Sequence, residues 1–256
     1  HQAALDHDLT VSNYLSKAYI TNLSALSSVE GLDSMERPQY PIVVAHKANR
    51  YRLLCKYLSM KVSLLEVDVN VCKGRLVLQH GVDFSGFGSV RGEIMKLGYI
   101  LMEHRDPLWR PMTLEECLRL VQGRAGLWLD LKQRGIAERV VEAVKRYHIR
   151  PIVASSAYHG VLRSMKDEYP SIATMLGNVM FRPVDPVGMV EAAGADGISV
   201  EYRYVDEELV DTVHEAGFRI AAWTVNNASK VRELADMGCD YIITDVPEKV
   251  MKLIGP

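Results

Sequence analysis

Eight short apolar runs along the chain from Pro41 onward constrain the fold most strongly. They cover 42–46, 62–69, 126–132, 151–155, 171–176, 197–200, 218–224 and 241–245. Each run is followed by an amphipathic segment or by a long loop, and strands that alternate with helices form parallel sheets. We therefore predict a closed (β/α)8 TIM barrel, with an open doubly wound sheet as the alternative.

The residues outside these runs indicate the domain organisation. Residues 1–40 show loosely helical spacing of leucine and isoleucine, so we expect an N-terminal helical extension that caps the barrel or packs against a partner. The barrel domain then spans 41–256. Residues 81–112 contain five glycines and little periodicity, and a long loop of this kind is typical of a lid or a binding loop.

Composition narrows the class of partner. The 256 residues are 48% hydrophobic, which is ample for a packed core, and 30 basic against 32 acidic residues leave a net charge of -2. Without a basic tail, nucleic-acid binding is not expected, and a small-molecule or lipid-derived partner is favoured. The four cysteines lack Cys-x-x-Cys spacing and no transmembrane run is present, so we expect a cytoplasmic protein, with a homo-oligomer left open.

Two acidic residues lie inside the second apolar run. Glu66 and Asp68 are two apart, and because side chains alternate along a strand, both carboxylates face the same way. Burying like charges together is costly unless a cation or hydrogen bonds compensate. With Asp130 in the third run, these oxygen ligands suit a hard divalent cation, Mg2+ or Ca2+, better than zinc. A structural salt-bridge network with Lys132 or Arg52 is the alternative.

Other polar side chains follow the strand ends, where the reactive residues of such barrels gather. His46 ends the first run and His80 follows the second, so we predict an acid/base pair, although a lone histidine after an apolar run is more often a core residue. Three further residues are substrate-binding candidates. Lys132 could neutralise an oxyanion, Trp223 could form an apolar wall, and Asn226 closes the seventh run.

Seven short motifs lie along 41–256. Each alone is a weak indication of a protein family, but their order and spacing together are specific. They are His46, 66–68 (Glu-Val-Asp), His80 after Gly-Arg-Leu-Val-Leu, 112–116 (Met-Thr-Leu-Glu-Glu) opening a helix, 129–132 (Leu-Asp-Leu-Lys), 222–226 (Ala-Trp-Thr-Val-Asn) and 238–247 (Gly-Cys-Asp-Tyr-Ile-Ile-Thr-Asp-Val-Pro). Together they resemble the glycerophosphodiester phosphodiesterase family. The resemblance implies a (β/α)8 barrel that hydrolyses glycerophosphodiesters to an alcohol and glycerol 3-phosphate with a divalent cation.

By position, the resemblance implies that Glu66, Asp68 and Asp130 are the metal ligands. It implies that His46 and His80 are the acid/base pair and that Lys47, with Lys132, binds the phosphate. Three positions differ from the usual family pattern. Lys47 stands where the family has arginine, Asp130 stands where glutamate is commoner, and Gly81 replaces an aspartate after the second histidine. Lysine offers a point charge in place of a bidentate guanidinium, so substrate choice is expected to differ.

The early strands are also similar to the sphingomyelinase D-like phospholipases. The shared residues are 46–49 (His-Lys-Ala-Asn), 80–81 (His-Gly) and 130–132 (Asp-Leu-Lys), which adds Asn49 to the substrate-binding candidates. A lysophospholipase D or cyclising activity is therefore one alternative function. A catalytically inactive binding or regulatory barrel is another. A phosphate-binding isomerase or aldolase is disfavoured, because 226–229 and 245–247 lack a glycine-rich phosphate grip.

Overall fold

The computed structural model describes residues 40–81, 90–92, 94–95, 97–98 and 110–254. Its strands form a single sheet. They are β1 (Ile42–Ala45), β2 (Leu64–Cys72), β3 (Arg75–Leu78), β4 (Met112–Thr113), β5 (Gly126–Leu131), β6 (Ile152–Ser156), β7 (Ala173–Val179), β8 (Gly197–Glu201), β9 (Arg219–Trp223) and β10 (Tyr241–Thr244).

The sheet closes on itself through β1. This strand pairs in parallel with β10 on one side and with β2 on the other, and β5 to β10 follow β2 in order around the ring. The result is a closed barrel of eight parallel strands, and each of the eight predicted runs coincides with one of them. The predicted (β/α)8 barrel is confirmed, and the open doubly wound sheet is wrong.

Helices follow the barrel strands and cover the outside. They are α1 (Tyr51–Ser59), α2 (Leu114–Val121), α3 (Ala137–Tyr147), α4 (Gly160–Glu168), α5 (Pro186–Ala193), α6 (Glu207–Glu215), α7 (Ala228–Asp236) and α8 (Pro247–Ile254). The predicted helix start near Thr113 has a physical basis. The Thr113 hydroxyl accepts a hydrogen bond from the Glu116 backbone N–H and the Glu116 carboxylate accepts one from the Thr113 N–H, which is a capping box.

The sequence did not predict β3 and β4. Beyond the barrel, β2 continues into a hairpin whose two-residue loop, Lys73 and Gly74, has positive φ at both positions, as tight hairpins require. The chain then runs back along β2, so that the Gln79 N–H donates to the Asp68 carbonyl at 3.0 Å. This return brings the next residue, His80, beside the barrel mouth.

Inside the barrel, inward-facing side chains change from apolar to polar along the strands. An apolar cluster fills the lower part, and within it Trp128 and Tyr241 meet edge to face with ring centroids 5.4 Å apart. Asp130 stands two residues beyond Trp128 on the same face, and Asp245 stands four residues beyond Tyr241, just past the end of β10. Alternation along the strands therefore places a packed floor beneath a polar upper layer.

Several predictions concern residues outside the described ranges. Residues 1–39 of the predicted N-terminal helical extension (1–40) and most of the predicted long loop (81–112) fall there. Of that loop, residues 81, 90–92, 94–95, 97–98 and 110–112 are described; 90–92, 94–95 and 97–98 are helical, and Met112 begins β4. Among the described helices, none is long and apolar enough to cross a membrane.

Candidate active site

A cavity of about 240 Å3 opens where the barrel strands end. It lies above the apolar floor, at the end of the barrel where enzymes of this architecture carry out their chemistry. Its lining comprises His46, Lys47, Glu66, Asp68, His80, Trp128, Asp130, Lys132, Ser155, Gly177, Asn178, Ser199, Trp223, Thr224 and Ile243. Eight of the ten predicted site residues are in this lining.

Strand pairing brings the three predicted metal ligands together. Asp68 on β2 lies directly opposite Asp130 on β5, and Glu66 precedes Asp68 by two residues on the same inward face. All three residues are at most 8% exposed. One carboxylate oxygen from each lies within 4.8 Å of the others. Glu66, Asp68 and Asp130 are called the acidic trio below.

The loop after β1 holds two members of the trio. The Lys47 backbone N–H donates to Glu66 Oε2 at 2.6 Å, with Lys47 in the left-handed region at φ 52°. Asn49 donates from Nδ2 to Asp68 Oδ2 at 2.5 Å and accepts from the Asp68 N–H at 2.9 Å. The contacts from Asn49, which does not line the cavity, fix the orientation of the Asp68 carboxylate. Residues that hydrogen-bond to metal ligands without touching the metal have this effect.

Lys132 supplies positive charge to the trio. Its Nζ lies 2.9 Å from Asp68 Oδ1 and also contacts Asp130 Oδ2. The lysine side chain is 12% exposed, so water screens these interactions only weakly. When all three carboxylates of the acidic trio are ionised, the single ammonium of Lys132 does not balance them, and the cluster keeps a net negative charge.

Burial and neighbouring charges displace the pKa values of this cluster in different directions. Burial, reinforced by the charges of Asp68 and Asp130, raises the pKa of Glu66 well above its ordinary value. Burial also raises the pKa of Asp130. For Asp68, burial is outweighed by hydrogen bonds from His80 and Lys132, and its pKa is lowered. The carboxylates in turn outweigh desolvation and raise the pKa of Lys132.

The acidic trio fits a hard divalent cation. Within the described ranges, Asp130 Oδ1 is a buried side-chain oxygen without a hydrogen-bond donor, and an unsatisfied buried acceptor normally has a ligand or water to explain it. Three carboxylates offer the oxygen donors that Mg2+ and Ca2+ take up. An additional positive charge would also relieve the repulsion that raises the Glu66 pKa.

The two predicted catalytic histidines have different carboxylate partners. His46 Nδ1 lies 2.7 Å from Asp245 Oδ1, and Asp245 follows β10. His80 Nδ1 lies 3.3 Å from Asp68 Oδ1, so its partner belongs to the acidic trio. Both imidazoles line the cavity.

The opposite wall, from β6 to β9, is polar and uncharged. Trp223 donates from Nε1 to the Ser199 carbonyl at 3.0 Å, which fixes the indole against the cavity. Trp128 donates from Nε1 to Ser155 Oγ at 2.8 Å. This wall presents hydroxyls, a carboxamide and an aromatic face to a substrate, while the acidic and basic groups are confined to the other side.

Two predicted substrate-binding residues are absent from the lining. Asn49 is buried behind Asp68. Asn226 bonds to Thr244 and Asp245 in the neighbouring loop. Among residues not predicted, Asp245 contacts His46 and Asn178 lines the cavity. The signal for Asp245 was present in the sequence, because it ends the eighth run in register with inward-facing residues.

Comparisons with known proteins agree with this architecture. The sequence profile of the Glycerophosphoryl diester phosphodiesterase family matches residues 127–249. The Bacillus subtilis (strain 168) protein named "Putative glycerophosphodiester phosphodiesterase YhdW" is 30% identical over 221 residues, covering 75% of this chain and 86% of its own. A glycerophosphodiester phosphodiesterase of Caldanaerobacter subterraneus is 29% identical over 237 residues, covering 83% and 97%.

Solved structures share the fold. The Oleispira antarctica phosphodiesterase, determined in complex with the product sn-glycerol-3-phosphate, aligns with a TM-score of 0.68 at 22% identity, over 84% of this chain and 96% of that one. The glycerophosphodiester phosphodiesterase of Thermotoga maritima aligns with a TM-score of 0.60 at 20% identity, over 84% and 98%.

The closed barrel with a polar cavity at its strand ends defines a (β/α)8-barrel enzyme of the phosphoric diester hydrolase class. The relative at 30% identity, which the chain matches over most of its length, narrows the class further. The chain belongs to the glycerophosphodiester phosphodiesterase family.

Proposed function

We propose that this enzyme hydrolyses glycerophosphodiesters to an alcohol and glycerol 3-phosphate and that it requires a divalent cation. The observation that carries the proposal is the meeting of the acidic trio, Lys132 and two histidines at one cavity. The Oleispira antarctica neighbour, which binds sn-glycerol-3-phosphate as its product, supports the choice of substrate.

Glu66, Asp68 and Asp130 would hold the cation, Mg2+ or Ca2+. When bound, such a cation supplies positive charge that stabilises the negative charge developing on phosphoryl oxygens. Lys132 contacts two of the three carboxylates and lines the cavity, so its ammonium would also bind the substrate phosphate. Lys47 lines the same side of the cavity and adds a second positive side chain.

The histidines would handle the protons. One imidazole accepts the proton of the attacking hydroxyl, from water or from the glycerol 2-hydroxyl, as that oxygen forms a bond to phosphorus. The bond between phosphorus and the leaving alcohol oxygen breaks, and the electron pair stays on that oxygen. The second imidazole, as imidazolium, donates a proton to it. Attack by the 2-hydroxyl gives a cyclic phosphate, which water then opens with the two imidazoles in exchanged roles: the one that gave up its proton accepts the proton of water, and the one that gained a proton donates it to the glycerol 2-oxygen.

An assay with purified protein tests this proposal. Glycerophosphocholine, glycerophosphoethanolamine, glycerophosphoinositol and lysophospholipids are offered with Mg2+, with Ca2+ and with a chelator. We expect cation-dependent release of the alcohol, and a loss of about 100-fold or more in His46→Ala and Glu66→Ala. His148→Asn is the matched control, because His148 lies outside the cavity at the end of α3, and asparagine tolerates its left-handed backbone.

Metal-independent turnover, or full activity in both alanine variants, contradicts the proposal. Absence of turnover with every substrate and cation would instead favour the inactive binding barrel. The same substrate panel also tests a second function, lysophospholipase D or cyclising activity.

One structural observation favours a lipid-derived substrate. Asn178 on β7 lines the cavity wall, and the loop that follows this strand carries Met180, Phe181 and Val184, whose apolar side chains are exposed. Exposed apolar groups that follow within six residues of a cavity-lining side chain are suited to an acyl chain. Faster turnover of lysophospholipids than of glycerophosphodiesters would establish this second function.

A further inference from the structure

A chain of hydrogen bonds leads from the loop after β9 to His46. Asn226 Nδ2 donates to Asp245 Oδ2 at 2.7 Å, and Asp245 Oδ1 lies 2.7 Å from His46 Nδ1. Each carboxylate oxygen of Asp245 therefore has its own partner. Because Asp245 follows β10, this carboxylate is separate from the acidic trio on β2 and β5.

Backbone contacts hold the same three segments together. The His46 N–H donates to the Thr244 carbonyl at 2.9 Å. Asn226 Oδ1 accepts from Thr244 Oγ1 at 3.0 Å and from the Asp245 N–H at 2.9 Å. The residues at the end of β10 and the loop after β9 thus fix both the main chain of His46 and the Asp245 carboxylate beside its ring. An imidazole held at both its backbone and its Nδ1 has little freedom to rotate.

The electrostatics of Asp245 favour the carboxylate form. The hydrogen bond with His46 lowers the pKa of Asp245, and the bond from Asn226 and the positive charge of Lys47 act in the same direction against partial burial. Tyr57 also faces this carboxylate, and burial, with the charges of Asp245 and Glu66, raises its pKa to about 12, so it stays neutral. At neutral pH an anion therefore lies against Nδ1.

An ionised carboxylate accepts hydrogen bonds and cannot donate them, so Nδ1 of His46 must carry a proton. In the neutral imidazole the unprotonated nitrogen is then Nε2. Since Nδ1 is occupied by Asp245 and His46 lines the cavity, Nε2 is the nitrogen left for substrate.

We propose that Asp245 is a positioning residue that makes His46 the general base of the reaction, with Asn226 holding Asp245 in place. The inference rests on the proposed function. In the step concerned, the proton of the attacking hydroxyl moves to Nε2 of His46, and the oxygen electron pair forms the bond to phosphorus. Asp245 stays ionised throughout and stabilises the resulting imidazolium. His80 is then the proton donor to the leaving oxygen.

Asp245→Asn tests the positioning role in the cation-loaded enzyme. A carboxamide removes the negative charge and can donate to Nδ1, which selects the wrong tautomer. We expect kcat to fall roughly 10- to 100-fold while KM stays nearly constant. The acidic limb of the pH profile should move to lower pH, because imidazolium is no longer stabilised. Asp245→Glu, which keeps the charge, should restore the position of that limb in part.

Glu248→Gln is the matched control. It makes the same chemical change three residues away, at an exposed side chain that pairs with Lys252, and should leave kcat and the pH profile unchanged. Asp245 is itself half exposed, and thermal melting of both variants shows whether folding is affected. A structural role alone would lower the melting temperature and leave the acidic limb in place.

Histidine-ring 15N NMR provides a readout that does not depend on turnover. His46 should carry its proton on Nδ1 in the wild type and on Nε2 in Asp245→Asn. This inference alone would be overturned if Asp245→Asn kept the turnover of the wild type and the acidic limb of its pH profile did not move. It would also be overturned if His46 of the wild-type protein carried its proton on Nε2. Absence of wild-type turnover with any cation would overturn the proposed function and the base role with it.

Discussion

Lys132 Nζ lies 2.9 Å from Asp68 Oδ1 while it also contacts Asp130, so one ammonium group serves two buried carboxylates. The third carboxylate, Glu66, receives a backbone N–H from Lys47 and the charge of Lys132 only at longer range. The charge balance of the barrel mouth is therefore incomplete in the protein alone.

Replacing Lys132 with methionine removes the ammonium from this pair of acids. We expect the metal-free protein to lose about 3–5 kcal/mol of stability, as is typical when one partner of a buried ion pair is deleted. Added Mg2+ or Ca2+ should raise the melting temperature more than in the wild type, because the cation then compensates for the lost charge. Lys230→Met removes an exposed pair with Glu233 and is the control. Equal cation-induced shifts in wild type and Lys132→Met would contradict the prediction.

Glu66→Gln should stabilise the metal-free protein at neutral pH. Because the folded-state pKa of Glu66 is raised, the folded protein holds a proton that the unfolded chain releases, so stability falls as pH rises from the unfolded-state pKa toward the folded one. A pKa raised by one unit corresponds to about 1.4 kcal/mol. Glutamine removes this penalty and keeps an acceptor for the Lys47 N–H. Melting curves across pH in chelator measure the gain.

Asp68→Asn is the matched contrast to Glu66→Gln. The pKa of Asp68 is lowered in the folded state, so its carboxylate contributes stability above the unfolded-state pKa and loses it as pH falls through the folded one. The asparagine variant should therefore be less stable than the wild type at neutral pH. Both variants should bind Mg2+ or Ca2+ more weakly in calorimetry. A less stable Glu66→Gln protein at neutral pH would show that the charge at position 66 is well compensated.

Asn49→Ala separates two roles for Asn49. Its carboxamide exchanges two hydrogen bonds with Asp68 from a buried position, so we expect cation affinity to fall roughly 10-fold, as for other partners of metal ligands. KM for substrate at saturating cation should change little. The substrate-binding role predicted from the sequence requires the opposite result, a raised KM with unchanged cation affinity. Calorimetric titration and steady-state kinetics on the same preparation decide between them.

Gly177→Ala tests how tightly the neutral wall is packed. A Cβ at Gly177 would lie 3.0 Å from the backbone N and C of Ser156 on the adjacent strand, so the backbone of β6 or β7 must shift by a few tenths of an ångström to accept it. We expect a loss of about 1–3 kcal/mol from overpacking, measured by urea unfolding. Gly160→Ala is the control, because nothing lies within 4 Å of its added Cβ. Equal stability of the two variants would show that β7 shifts without cost.

The barrel could be predicted because its pattern repeats. Each of the eight runs is short, apolar and followed by a helix or a loop, so errors at single residues do not disturb the count. The same alternation places Glu66 and Asp68 on one face and made the acidic trio predictable. The hairpin of β3 was missed because its residues, Arg75 to Leu78, fit no βα repeat, although Lys73 and Gly74 give a turn signal.

Side-chain partnerships were less predictable than positions. His46 and His80 both follow strand ends in the sequence, yet the structure gives them different carboxylates, Asp245 and Asp68. Asn226 was predicted to bind substrate from its place after β9, but a side chain at a strand end can turn toward the cavity or toward the neighbouring loop. The choice depends on donors and acceptors from distant segments, which no local pattern contains.

Closure of the barrel through β1 has a consequence for how the enzyme matures on the ribosome. His46 and Asp245 are 199 residues apart in the chain, whereas Asp68 and Asp130 meet as soon as β2 and β5 pair. All three residues of the acidic trio are thus synthesised long before β10. Alignment of His46 must await the last barrel strand, so turnover during translation would report the moment at which the ring of strands is complete.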